Sequence, residues 1–324
     1  MVMKKLLFTL LVCVVILVLP LNLLFAGSRP EGEKTVVLLN VGMQSPYPPV
    51  YESTLEARLS EAGIKMISFD GKFDAQLQAN QMDEAIAMKP NAIVLFAADS
   101  KAMVTGIKKA YDAGIPVITS NTVPADEAVP YTVCYFGPNN LLEGNLAGVE
   151  TDKLLGGKGN VVIIEGSTGH EGAISRTKGF EDKLSPGIKV LAKQPADWVK
   201  DKAARVMSDF LTRFGDKIDA VWAHSDDMAA GATIAMEEAG YKPGDIPIVS
   251  LGGAKDGMKA MAEGWIVKNI IQCPDDESNQ LAPFVIKVVN EGWKAGKQWD
   301  PYWNYMETPV ATQADYEKYM PGCY

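Results

Sequence analysis

From Thr35 onward the apolar residues fall into short unbroken runs separated by stretches with helical spacing. Thr35-Val-Val-Leu-Leu-Asn40 is apolar at every interior position, as a strand covered on both faces must be. Residues 50–62 follow with helical spacing and end at Gly63. The alternation continues with a strand over 65–69, a helix over 75–88 that stops before Pro90, and a strand over 92–96. Asp99 can cap a helix over 100–113, Gly114 can end it, and Ile115-Pro-Val-Ile-Thr119 supplies the fourth strand. Continuous apolar strands, each followed by a helix, predict a parallel sheet with helices on both faces.

The pattern then repeats. Residues 159–164, 188–191, 219–222 and 245–250 echo the four strands in order, and Gly114-Ile-Pro-Val-Ile is answered by Asp245-Ile-Pro-Ile-Val. After the echo come the apolar run Trp265-Ile-Val-Lys-Asn-Ile-Ile-Gln272, a helix over about 277–295 and an aromatic tail. A helix stranded after a complete lobe must pack somewhere, and returning it to the first lobe is economical. The expected fold class is therefore α/β: two similar doubly wound parallel-sheet lobes joined by a three-segment hinge. One lobe is residues 34–137 plus 273–299, the other 138–272 plus 300–324, with crossings near Gly137, Gln272 and Trp299. Such a hinge opens a cleft at the carboxyl ends of the strands, where open α/β sheets bind ligands.

Residues 1–26 stand apart: Lys4 and Lys5, an apolar run from Leu6, then Ala26 before a polar exit. They read as a signal peptide cleaved after about Ala26, and no cysteine follows the cut to carry a lipid. The expected product is a periplasmic, monomeric protein. The chain carries 40 acidic against 31 basic residues, and losing Lys4 and Lys5 takes the net charge from −9 to −11. Such a surface repels nucleic acid and anionic membrane.

Signs of catalysis are weak. His170 and His224 are the histidines, with no metal-binding spacing, so neither metal nor cofactor is expected. Gly166-Ser-Thr-Gly169 lacks the glycine that a nucleophile elbow needs two residues before its serine, and reads as a strand-to-helix turn. Gly156-Gly-Lys-Gly159 precedes a strand instead of following one, so it closes a helix and cradles no phosphate. Asp99, Asp226 and Asp227 stand where helix caps stand. Of Cys134, Cys273 and Cys323, one pair can oxidise in an exported chain; Cys134 with Cys273 would staple the hinge, and three free buried thiols are the alternative.

The export signal, the echoed lobes, Gly-Ile-Pro-Val-Ile-Thr119, Gln194-Pro-Ala-Asp197, Ser225-Asp-Asp-Met-Ala-Ala-Gly-Ala232 and Ile271-Gln-Cys-Pro274 together resemble the ribose-binding, type I periplasmic solute-binding proteins of ABC importers. The likeness runs from Thr35 to about Gln313. It implies a closing two-lobed receptor that hands its ligand to an inner-membrane ABC permease, with no covalent chemistry. It places ligand contacts at Ser45, Tyr47, Phe96, Asn121, Thr122, Ile174, Trp198, Ser225 and Gln272. Tyr47 and Trp198 supply aromatic faces. Charged contacts of the family fall on Asn121, Thr122, Ile174 and Gly252, so the expected ligand is a small neutral sugar or polyol with few hydroxyls. A shift of two residues or more in the loop 167–176 would bring His170, Glu171 or Arg176 into the cleft. Other readings are a quorum-signal or chemoreceptor-linked sugar sensor and an extracellular hydrolase; a lac-type repressor shares the lobes but starts with a DNA-binding helix-turn-helix.

Overall fold

The computed structural model describes residues 32–324, of which Lys34–Tyr324 form one compact unit. The expected leader and its cleavage after Ala26 lie outside the described residues. No described helix is long and apolar enough to cross a membrane.

Strand β1 (Lys34–Asn40) explains its own composition. Val36 and Leu38 enter one core, Val37 and Leu39 another, and all four are fully buried. Successive side chains point to opposite faces, so a strand covered twice can spare no interior position for a polar residue. Strand β3 (Ala92–Leu95) divides in the same way. The first sheet runs β2 (Ile64–Asp70), β1, β3, β4 (Val117–Ser120), β5 (Tyr135–Gly137), β11 (Trp303–Tyr305), with every neighbouring pair parallel. Helices α1 (Tyr47–Glu61), α2 (Ala75–Ala87) and α3 (Val104–Asp112) connect it. Helix α1 starts three residues earlier than its apolar spacing indicates, because Pro48 and Pro49 fit a first turn whose N–H groups have no helical partner. Asp99 does cap, accepting from the N–H groups of Lys101 and Ala102, but regular α-helix begins only at Val104.

The second sheet has the same order: β7 (Gly187–Pro195), β6 (Lys158–Glu165), β8 (Ala220–Ala223), β9 (Ile248–Gly252), β10 (Ile266–Ile271), β12 (Val310–Thr312). Here the last pair is antiparallel. Its helices are α4 (Asn140–Leu155), α5 (Glu171–Glu181), α6 (Lys200–Phe214), α7 (Asp226–Glu238) and α8 (Lys255–Ala262). Helix α9 (Pro274–Asn290) returns to the first lobe, packs on α1 and sinks Leu281, Val285 and Val288 into that core. Burying each contributes about 1.5–3 kcal/mol, which is ample to fix the helix there.

The chain changes sheet three times. The first change follows Gly137 and the second spans Gln272 and Cys273. The third lies further on than Trp299, because Trp303–Tyr305 pairs with β5 and Val310–Thr312 with β10. Residues 306–309 therefore make the crossing; a three-residue strand in an aromatic tail has too few positions to show a period. The cysteines also pair differently. Cys273 is bonded to Cys323, with Cα atoms 5.6 Å apart, and Cys134 is a free, buried thiol within the first lobe's core.

Candidate functional site

Between the lobes lies a cavity lined by residues that follow strand ends in both sheets. Ser45, Tyr47, Phe96, Asn121, Trp198, Ser225 and Gln272 all face it, together with Phe73, His170, Arg176, Asp227, Leu251 and Tyr324. Seven of the nine positions singled out in the sequence are thus brought together. Thr122 is fully screened behind the wall, donating to Ala97 O at 2.8 Å and meeting His170 Nε2 at 3.3 Å. Ile174 is not in the cleft: it is 60% exposed on α5.

Arg176, two residues further along that helix, takes the position expected of residue 174. Its Nε and Nη2 donate to Glu143 Oε2 at 3.1 and 3.0 Å, its Nη2 to Gln272 Oε1 at 2.7 Å, and its Nη1 to the His224 carbonyl at 3.0 Å. One of its five N–H groups is left for the cavity. The cleft is therefore not stripped of charge, but it is balanced, since Glu143 is a fully buried carboxylate paired to that guanidinium. Gln272 carries the network on, donating to the Tyr47 hydroxyl at 3.1 Å. Tyr47 in turn donates to Glu277 Oε2 at 2.7 Å, which also accepts from Asn121 Nδ2 at 2.8 Å, while Ser120 Oγ donates to Oε1 at 3.1 Å. A continuous polar chain thus runs from the second lobe through the middle crossing into the first.

Glu277 went unnoticed in the sequence because an acidic residue in a helix's first turn is ordinarily solvated. Here it is fully buried, and burial pushes its carboxyl up to about 7 despite three donors. Asn121 adopts φ +60°, which aims its side chain at Glu277 and leaves its Oδ1 without a hydrogen bond to the described residues.

Trp198 owes its place to local backbone. Asp197 and Trp198 have φ of +52° and +62°, and Gly166 makes room: a Cβ there would lie 2.0 Å from the indole. The ring meets His170 edge-on at 5.4 Å, with the Arg176 guanidinium 5.7 Å above it. His170 Nδ1 accepts from the Gly172 N–H at 3.1 Å, which assigns the proton to Nε2. Burial and the neighbouring Arg176 hold it neutral, down to about 3. His224, also buried and neutral for the same reasons, is a wall residue: its Nδ1 accepts from the Gly166 N–H at 3.3 Å.

Two aspartates at the start of α7 divide their labour. Ser225 is the actual cap, accepting from the Met228 N–H at 3.3 Å. Asp226, fully buried, does not cap its own helix but gathers Ser250, Asn269 and the Ala254 N–H at 2.6, 2.8 and 2.8 Å. Asp227 faces the cavity, its carboxyl raised to about 6 by burial and by Asp226 and Asp256. No group of three or more potential metal ligands occurs among the described residues.

The arrangement offers two aromatic surfaces, Trp198 and Phe96, and a ring of donors and acceptors in which the Arg176 charge is paired with Glu143 and Asp227 adds a carboxyl. A family profile described as "Periplasmic binding protein domain" matches residues 36–292. The xylitol-binding protein of Mycolicibacterium smegmatis is 34% identical over 211 residues, 64% of this chain and 59% of that one. The crystal structure of a galactofuranose binding protein superposes with a TM-score of 0.82 at 27% identity, covering 88% of this chain and 97% of that one. The periplasmic binding protein component of the arabinose ABC transporter from Shewanella sp. ANA-3, bound to L-arabinofuranose, gives 0.79 at 27% identity over 89% and 96%.

Proposed function

The chain belongs to the periplasmic binding protein family, whose members bind solutes without catalysis, and we propose on that footing that it is the solute receptor of an ABC importer for a small uncharged sugar or polyol. The observation that carries the reading is the pairing of Trp198 and Phe96 with a hydrogen-bonding rim whose one guanidinium is already neutralised by Glu143. Aromatic faces suit the C–H surface of a sugar. Hydroxyl groups desolvated without partners cost about 1–3 kcal/mol each, so a rim rich in both donors and acceptors is needed. Arg176, Asn121, Ser225, Asp227 and Gln272 supply it. With Arg176 and Asp227 present, a fully hydroxylated ligand can be satisfied, and the restriction to few hydroxyls falls away. Xylitol, galactofuranose and L-arabinofuranose, the ligands named for the similar proteins, share this chemistry.

Closure of the two lobes about the three crossings would complete the site, with Thr122–His170 and Val123–Glu171 as contacts made on closing. The receptor would act as a monomer, handing ligand to a membrane permease, after removal of residues 1–26; amino-terminal sequencing of the exported protein checks the cut. The functional test is a thermal-shift and calorimetric screen of uncharged sugars and polyols against sugar acids and amino acids. A ligand at about 100 times its dissociation constant should add about 2.7 kcal/mol of stability. Binding confined to charged compounds, or turnover of any of them, would reject the reading.

A further inference from the structure

The last residues of the sequence lie outside the sheet-and-helix plan, yet they reach the middle of the cleft. After the short 3-10 turn Tyr316–Tyr319, the stretch Met320-Pro-Gly-Cys-Tyr324 runs over the carboxyl end of the second sheet. Cys323 N–H donates to Gly253 O at 2.8 Å, and the Lys255 N–H donates to Tyr324 O at 2.8 Å. The disulfide to Cys273 ties the same stretch to the crossing that contains Gln272. The Tyr324 ring lines the cavity and meets Tyr47 edge to face at 5.6 Å, so a side chain carried by the second lobe touches the opposite wall.

The strand end beneath is cut to receive it. Gly252 closes β9 with φ +148°, and a Cβ there would lie 2.9 Å from the Tyr324 hydroxyl. Any side chain at 252 and the phenol of Tyr324 compete for one volume. That hydroxyl makes no hydrogen bond to the described residues and is left to the cavity. Chain termini ordinarily fray. Two main-chain hydrogen bonds, a covalent bond and a vacated volume all oppose fraying here.

We infer that Tyr324 is a ligand-contacting wall and a specificity-determining residue of the cleft, offering its ring edge and one hydroxyl, and limiting the site to compact ligands. Cys323, through its bond to Cys273, is the positioning residue that holds it. The inference rests on the sugar or polyol reading for its ligand class, so one arm of its test uses no ligand.

That arm is hydrogen exchange of the full processed chain with and without a phosphine reductant. The Cys323 and Lys255 amides should be protected when the disulfide is intact. They should exchange about tenfold faster or more after reduction or in Cys323→Ser, with residues 248–251 unchanged. The second arm is calorimetry with xylitol, D-ribose and myo-inositol. Tyr324→Ala should improve myo-inositol relative to xylitol by about tenfold, Cys323→Ser should move the ratio the same way, and Tyr324→Phe should hold it within about threefold. An unchanged ratio in Tyr324→Ala, or free exchange of both amides in the oxidised chain, would overturn the inference. If none of the three compounds binds the native chain, the same ratio is read with the two sugars or polyols of different size that the broader screen finds, and the exchange arm decides independently whether the tail is a fixed wall.

Discussion

In the first lobe, Tyr47, Asn121 and Ser120 surround a single buried carboxyl, Glu277, with neutral donors alone. In the second, the corresponding place is held by an ion pair, Arg176 on Glu143, closed by a backbone carbonyl and by Gln272. The sheets behind them have the same strand order. A repeated fold therefore does not repeat its electrostatics, because the loops beyond the strand ends contribute nothing to the sheet and are free to differ. The two solutions also behave differently. An ion pair keeps its charges at the expense of needing both partners, whereas a lone carboxyl among neutral donors keeps its place by shifting its pKa.

The sharpest way to break the comparison is to remove one partner of the pair. Arg176→Ala leaves Glu143 buried and unpaired and should lower stability by about 3–5 kcal/mol in urea unfolding. Arg176→Met with Glu143→Gln should cost markedly less than the two singles added together; simple additivity would mean that the pair is not coupled.

Next in size is Gly166→Ala, which drives a methyl into the Trp198 indole 2.0 Å away. It should cost about 1–3 kcal/mol of stability and weaken ligand binding, while the first lobe's network stays intact. Calorimetry with whichever sugar binds the native chain checks this, and unchanged affinity would remove Trp198 from the site.

Glu277→Gln probes the other solution through pH. The folded carboxyl holds its proton up to about 7 against a normal value of 4.5, so it favours the folded state at low pH. That contribution is complete below 4.5 and is lost as pH rises through 7. Relative to Glu277→Gln, the native chain should lose about 3 kcal/mol across this window and be flat outside it. Parallel melting-temperature profiles for the two proteins would place the carboxyl in an ordinary environment.

The smallest effect is chemical. Burial pushes the Cys134 thiol up to about 12, and the other two cysteines downstream of Ala26 are bonded to each other. The processed chain should show no thiol reactive toward a disulfide reagent when native, and one when denatured.

Most of the architecture was legible because a strand buried on both faces leaves an unbroken apolar run, and β1, β3 and β6 are such strands. Site residues at strand ends were legible for a related reason: Asn121, Ser225 and Gln272 directly follow β4, beyond β8 and β10, and so inherit the strands' register. Arg176 was legible only as one of three alternatives with His170 and Glu171, since the turn from Gly166 to His170 has no period and the helix after it can be entered at any phase. Glu277 was hidden by resembling a solvated first-turn acid, and Asp226 by resembling a helix cap. Tyr324 and the Cys273–Cys323 bond depend on a fold-back across 50 residues, and no local pattern announces such a return.

The late third crossing sets an order of assembly. The first lobe lacks its edge strand until Tyr305 has been made, and the second lacks its own until Thr312. Neither sheet can be finished from a contiguous stretch of chain, so a nascent or partly exported protein carries two unfinished sheet edges until residues 303–312 have been made. Both lobes are then completed by the single stretch 303–312, which makes completion a joint, long-range event. Removing the chain from Val310 onward would leave the second lobe unfinished and take away the stretch that reaches into the cleft.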